Sequence, residues 1–181
     1  MNAAAPRRAE PSAATSRREA ARFCGMLLLL VILFAAATST APAQRYLHEP
    51  LARFFARADA AILSPFGPAS VTGVTVRFGA FEAEVGEACD GVLAACIYLA
   101  AVLAFPSPWR ARAWGVLIGV GAIFVINLAR LVTLTLLGAF FPALLEQVHI
   151  YVWQALIIAL SMAVWIFWVE RFVRPRREAR P

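Results

Sequence analysis

The sequence predicts an all-α integral membrane protein, a bundle of about four transmembrane helices with a small extracytoplasmic amphipathic helix and hairpin. Three observations carry this expectation. Apolar residues make up 61% of the 181 positions and the mean hydropathy is +0.71, a composition outside the range of soluble domains. Residues 23–38, 91–105, 114–137 and 150–169 form four apolar stretches, each long or nearly long enough to cross a hydrocarbon core of about 30 Å at about 1.5 Å per residue. The third observation is the distribution of arginine, the chain's sole cationic side chain apart from histidine, since it contains no lysine.

The elements follow in chain order. Residues 1–22 are a basic tail with Arg7, Arg8, Arg17, Arg18 and Arg22, which the positive-inside rule assigns to the cytoplasm. An anchor over 23–41 follows. Small residues at the end of the apolar run, Thr38-Ser-Thr-Ala-Pro-Ala, raise the question of a cleaved signal peptide, but the polar stretch before the apolar run is longer than a usual signal n-region, so an uncleaved anchor is expected. The first two apolar stretches are short, so they borrow flanking residues or span a locally thinned bilayer.

Residues 42–88 form the extracytoplasmic loop, because Arg45, Arg53, Arg57 and Arg77 are diluted and offset by Glu49, Asp59, Glu82, Glu84 and Glu87. From Gln44 to Leu63 the apolar residues Leu47, Leu51, Phe54, Phe55, Ala58 and Ile62 recur at helical spacing against Arg45, Arg53, Arg57 and Asp59. That pattern predicts an amphipathic helix lying on the outer leaflet or packed on the bundle. After the breaker Ser64-Pro-Phe-Gly-Pro, residues 74–78 and 81–85 alternate with period two around Gly79-Ala80, predicting a short hairpin. It delivers Gly86-Glu-Ala-Cys-Asp-Gly91 to the outer mouth of the second helix.

A core of three helices occupies residues 89–169. Arg110 and Arg112 in the turn Pro106-Ser-Pro-Trp-Arg-Ala-Arg and the arginines of the tail 170–181 complete a self-consistent topology, four crossings with both termini inside. The net charge of +6 therefore reflects topology, and nucleic-acid binding is not expected, because the basic runs lack interleaved aromatics and flank membrane segments.

Within this scheme the reactive side chains gather at one face. Cys89 stands at a helix amino terminus, where the dipole favours a thiolate, although Glu87 and Asp90 beside it push the other way. Arg130 lies 16 residues past Trp114, roughly 24 Å up a helix rising from the cytoplasm, and reaches the level of Cys89. Asn127 shares its face one turn earlier. An intramembrane arginine costs about 2.5 to 3.5 kcal/mol on insertion scales and marks a functional site, a buried ion pair or snorkelling to lipid phosphates. His149 opens the last helix on the same side, after the loop from Gly138 to Val148. Cys24 and Cys96 read as small packing residues, because Cys89 and Cys96 are about 10 Å apart on a helix, too far for a disulfide. One Cys, one His and scattered acids beside a guanidinium make a poor zinc set, and no metal or cofactor is expected.

Glu87-Ala-Cys89-Asp90-Gly91 before an apolar helix, the Pro-x-Pro-Trp-Arg turn, Asn127-x-x-Arg130-Leu-Val, and His149 before a last apolar helix with Trp153 together resemble the exosortase/archaeosortase family. The resemblance covers residues 86–168, and the compact amino-terminal part looks like the exosortase H type. One departure is Asp90, where many members carry Ser or Asn. The resemblance implies a membrane cysteine transpeptidase of the inner membrane that processes exported proteins bearing a carboxy-terminal sorting signal: a motif, a transmembrane helix and an Arg-rich end. Cys89 would be the nucleophile, Arg130 the oxyanion partner and His149 the proton carrier, with Glu87, Asp90, Gly91 and Asn127 in support, and the acceptor unidentified. Two other functions fit the residues: a non-catalytic assembly or transporter accessory subunit in which Arg130 pairs with Glu87 or Asp90, and a purely hydrolytic membrane protease. The topology has a direct test. A membrane-impermeant maleimide added to intact cells should label Cys89 and spare Cys24, and labelling of Cys89 only after permeabilisation would overturn the outer-face assignment.

Overall fold

The structure is a computed structural model and describes residues 13–174; the predicted tail arginines Arg7, Arg8, Arg176, Arg177 and Arg180 lie outside the described residues. Helix α1 (Ala13–Thr38) is followed by the single turn α2 (Ala41–Ala43), a π-helical turn Gln44–His48, and α3 (Glu49–Leu63). Three strands come next, β1 (Ala69–Thr72), β2 (Thr75–Phe78) and β3 (Phe81–Glu84), then a 3₁₀ turn Glu87–Cys89 and α4 (Val92–Ala104). The chain closes with α5 (Trp109–Phe140), α6 (Pro142–Gln147), a π-helical turn Val148–Trp153, α7 (Gln154–Trp168) and a last π-helical turn Val169–Val173.

Among the described residues, three helices are long and apolar enough to cross a membrane: Arg17–Thr38, Trp109–Phe140 and the continuous run Pro142–Val173. The fourth expected crossing corresponds to α4, an apolar helix of 13 residues, about 20 Å long. It packs against α1, α5 and α7. The 32 residues of α5 extend roughly 48 Å, well beyond one hydrocarbon thickness. The surplus carries the outer layer: α3, β2 and β3 all pack on α5.

Two apolar clusters follow from this arrangement. One joins α4, α5 and α7 through Tyr98, Val102, Ala111, Ile123 and Trp168. The other joins α3, the sheet and α5 through Ala52, Phe55, Val76, Val85 and Leu131. Phe124 packs against both, so the membrane bundle and the outer layer share one continuous interior.

Three expectations are corrected: the strand count of the hairpin, the face that the amphipathic helix buries, and the loop expected from Gly138 to Val148. The hairpin is a three-stranded antiparallel meander, because residues 69–72 also pair, with Thr72 opposite Thr75 across a turn in which Gly73 takes φ +66°. Val74, read as the first strand residue, belongs to that turn. The amphipathic helix is packed on the bundle through Ala52, Phe55, Ala56, Asp59, Ala60 and Leu63, while Leu47, Phe54 and Ile62 of the expected apolar face are exposed. Asp59, assigned to the polar face, is 1% exposed and accepts a hydrogen bond from Thr135 Oγ1 at 2.8 Å; burial pushes its carboxyl above the ordinary aspartate range, and the Thr135 bond pulls partly back. Finally, residues 138–148 are not a loop. Only Phe141 leaves the helical region, with φ −139° and ψ 60°, because a residue before proline is excluded from it while Pro142 suits the first turn of the next helix.

Close packing is set by small residues on α5. A Cβ at Gly119 would lie 1.9 Å from the Tyr98 ring, and one at Gly138 would lie 2.2 Å from the ring of Phe81. Gly121, by contrast, faces open space. Gly119→Ala should therefore destabilise the protein by about 1 to 3 kcal/mol through overpacking, whereas Gly121→Ala should be neutral or stabilising by up to about 1 kcal/mol from helix propensity. Thermal unfolding of both variants in detergent checks the contrast.

Candidate active site

Cys89 ends the 3₁₀ turn Glu87–Cys89, and its geometry is fixed by the two residues that follow. Gly91 adopts φ +77°, a left-handed conformation that favours glycine, and a Cβ there would press on the Asn127 side chain at 3.1 to 3.3 Å. Asp90 Oδ1 accepts the backbone N–H of Val92 at 2.9 Å, satisfying one of the free donors at the start of α4. From α5, Asn127 Nδ2 donates to the Cys89 carbonyl at 2.7 Å. The Cys-Asp-Gly sequence is thus a left-handed turn into a helix, read by an amide from the neighbouring helix.

One helical turn above Asn127, Arg130 is 6% exposed. Its Nη2 lies 4.0 Å from Cys89 Sγ and donates to His149 Nε2 at 2.7 Å. The thiol is also 4.0 Å from His149 Nε2. Guanidinium groups only donate, so Nε2 accepts, and the imidazole in this arrangement is neutral with its proton on Nδ1. His149 sits in the π-helical turn Val148–Trp153, an irregularity that recurs at functional sites because it re-aims side chains within a helix.

The structure therefore brings together Cys89, Arg130 and His149, supported by Asn127 and Gly91. The other two expected supporting residues separate. Glu87 is exposed and lines the mouth of a cavity of about 500 Å³ that runs down between α1, α4 and α7 from Arg130 to Phe23 and Trp165. Asp90 is fully buried and pairs with His48. The non-catalytic reading pairs Arg130 with Glu87 or Asp90; here Asp90 Oδ2 faces His48.

His48 is the residue that the sequence reading missed. It is 8% exposed, and its Nε2 lies 3.2 Å from the Thr38 carbonyl. A signal was present: positions 48, 52, 55, 59 and 63 step by four and three along one helix face, and all five are buried. The apolar stripe 47, 51, 54, 58, 62 masked it.

Burial pushes the Cys89 thiol above its ordinary range; the Arg130 guanidinium pulls it down and the Asp90 carboxylate pushes it further up. The donor set of one thiol, one imidazole and one guanidinium offers no cluster of three metal ligands; among the described residues, no group of three His, Cys, Asp or Glu side chains forms one.

A family model described as transmembrane exosortase, of the EpsH type, matches residues 13–167. No match was found among curated proteins or among solved structures.

The electrostatics of the thiol lead to a pH dependence with a definite sign. Since its folded value is raised, the thiolate should be scarce at neutral pH, and alkylation of Cys89 by iodoacetamide should accelerate as pH rises past the ordinary thiol range near 8.5. Arg130→Ala removes the favourable cation, so the profile should move to still higher pH. A shift to lower pH in that variant would contradict the assigned geometry.

Proposed function

The chain belongs to the transmembrane exosortase family, and from that premise we propose that it is a membrane cysteine transpeptidase that cleaves the carboxy-terminal sorting signals of exported proteins and transfers them to an acceptor. The observation that carries the reading is the meeting of Cys89, Arg130 and His149, contributed by three separate elements, within 4.0 Å of one another. Of the three, Arg130 lines an apolar cavity bordered by α1, α4, α5 and α7, and Cys89 and His149 adjoin Arg130. An apolar substrate helix docked along that groove brings the peptide bond just outside its end to the thiol.

In the reaction, His149 Nε2 takes the Cys89 proton and the sulfur attacks the scissile carbonyl carbon. Before this, Arg130 holds the same Nε2, so the imidazole is a base only after the guanidinium turns away. The incoming carbonyl offers Arg130 its new partner: negative charge develops on the carbonyl oxygen and the guanidinium stabilises it. The carbon–nitrogen bond then breaks, His149 returns the proton to the leaving amine, and an acyl thioester remains on Cys89. An acceptor amine attacks the thioester, forms the new amide and releases the thiol; water in its place gives hydrolysis. Asn127 holds the backbone of the nucleophile through these steps.

The topology that suits this chemistry has α4 as a fourth crossing. Asp90 and Gly91 extend it above and Phe105 below, both tails face the cytoplasm of a plasma membrane, and the thiol lies outside. Gly86 to Gly91 then sits at the depth where a substrate helix leaves the bilayer.

The test is coexpression with a protein ending in a sorting motif, an apolar helix and an arginine cluster, with cleavage and the Cys89-linked acyl intermediate followed by gel shift and mass spectrometry. Cys89→Ala should give neither product nor intermediate. Arg130→Lys should lose about 10²- to 10³-fold in rate, because a point charge does not reproduce the planar fork, and His149→Gln about 10²- to 10⁴-fold, because an amide does not carry a proton. Near-normal processing by Cys89→Ala would overturn the proposal.

A further inference from the structure

Beside the nucleophile, the structure buries a complete polar pair that the reaction as described does not use. Asp90 is 0% exposed and His48 8%. Asp90 divides its oxygens: Oδ1 accepts the N–H of Val92, and Oδ2 faces His48 Nδ1. His48 Nε2 faces the Thr38 carbonyl at 3.2 Å. Both ring nitrogens thus point at acceptors, an arrangement fully satisfied by the imidazolium, which has two donors, and only half satisfied by a neutral ring. Three segments meet at this one ring: the end of α1 at Thr38, the π-helical turn Gln44–His48, and the Asp90-Gly91 link that joins the Cys89 turn to α4.

The π-helical turn has a local cause. Pro50 has no N–H to give to the preceding turn, and the backbone there widens, with Glu49 N–H donating to Gln44 O, five residues back. The widening leads directly into His48, which points inward with the buried face of α3.

We propose that His48 and Asp90 are a positioning pair for the nucleophile: their bond holds the Asp90-Gly91 backbone, and with it the Cys89 sulfur, at the reach of Arg130 and His149. The inference rests on the reading of Cys89 as the nucleophile. Asn127 ties the turn to α5 through the Cys89 carbonyl, and Asp90 ties it to the π-helical turn Gln44–His48 through His48. A carboxylate in this place requires such a partner, since a buried carboxylate without one is strongly unfavourable. The sulfur stands 4.0 Å from both of its neighbours, and an error of about 1 Å in such a geometry costs up to about a hundredfold in rate.

The experiment uses the full chain in detergent micelles and compares two double variants that share the same residue at position 90. In His48→Ala/Asp90→Asn the bond is removed without leaving a buried charge; in His48→Gln/Asp90→Asn a neutral hydrogen bond takes its place. Because both carry Asn at position 90, the loss of the Asp90 charge near the thiol is common to the two and cancels. Two quantities are read: single-turnover acylation of Cys89 by a sorting-signal substrate, and alkylation of Cys89 by iodoacetamide. The alanine variant should acylate about ten- to a hundredfold more slowly per folded molecule, with the substrate concentration for half-maximal rate within about twofold of wild type, and its alkylation rate should differ from that of the glutamine variant. The glutamine variant should recover most of the acylation rate. Equal rates in the two variants, or a wild-type rate in the alanine variant, would overturn the proposal. If wild-type protein forms no acyl intermediate at all, the proposed function fails, while a difference in alkylation between the variants would still show the pair acting on the Cys89 turn.

Discussion

A guanidinium buried in an apolar helix is the constraint on which the rest of this structure depends. Placing arginine within a membrane helix is costly, about 2.5 to 3.5 kcal/mol on insertion scales, and Arg130 is 6% exposed. The cost is offset only if other elements bring acceptors to it. The chain does so by two irregularities that a simple bundle would lack. A left-handed glycine at position 91 turns the chain so that the Cys89 sulfur comes to 4.0 Å, and a π-helical turn before α7 sets His149 at 2.7 Å. Two of the residues that meet the arginine are the ones that would do chemistry, so solvating the charge and assembling the candidate site are linked structural problems.

The outer layer solves a second part of that problem. Helix α5 projects above the bundle, and α3 with the three-stranded meander packs on the projecting part. Phe55 stacks edge-on against Phe124 and Phe78 against Phe140, while Gly138 admits the Phe81 ring. This layer allows polar groups such as Asp59 and Thr135 to be buried together, and Cys89 packs partly against it. The small residues of α5 serve the lower half in the same way, with Gly115 under Trp168 and Gly119 under Tyr98. Specificity of packing in both halves thus comes from aromatic rings seated on glycines, a device suited to an environment in which hydrophobicity alone does not distinguish a neighbour from a lipid.

Much of the site was legible in the chain because its signals are local or topological. A charged residue inside an apolar stretch, a thiol in a Cys-Asp-Gly turn and a histidine at a helix start are each visible in a short window, and the arginine pattern assigns them to one face. The family resemblance read from those ordered motifs agrees with the match over residues 13–167. The supporting residues were legible in part: Asn127 and Gly91 contact the Cys89 turn, whereas Glu87 and Asp90 go different ways.

The sequence by itself determined the membrane class and the long apolar helices, and pointed to the three side chains that meet at the candidate site, because hydropathy and helical period are properties of consecutive residues. Only the tertiary structure decided the rest. His48 and Asp90 are 42 positions apart, Asp59 and Thr135 are 76 apart, and no periodicity in one segment encodes the partner in another. The same holds for the face that α3 buries: both of its stripes contain apolar residues, and the choice between them was made by α5 and the sheet, which supply the complementary surface, and by polar partners on other elements, Thr135 of α5 for Asp59 and Asp90 and the Thr38 carbonyl for His48, that make their burial tolerable.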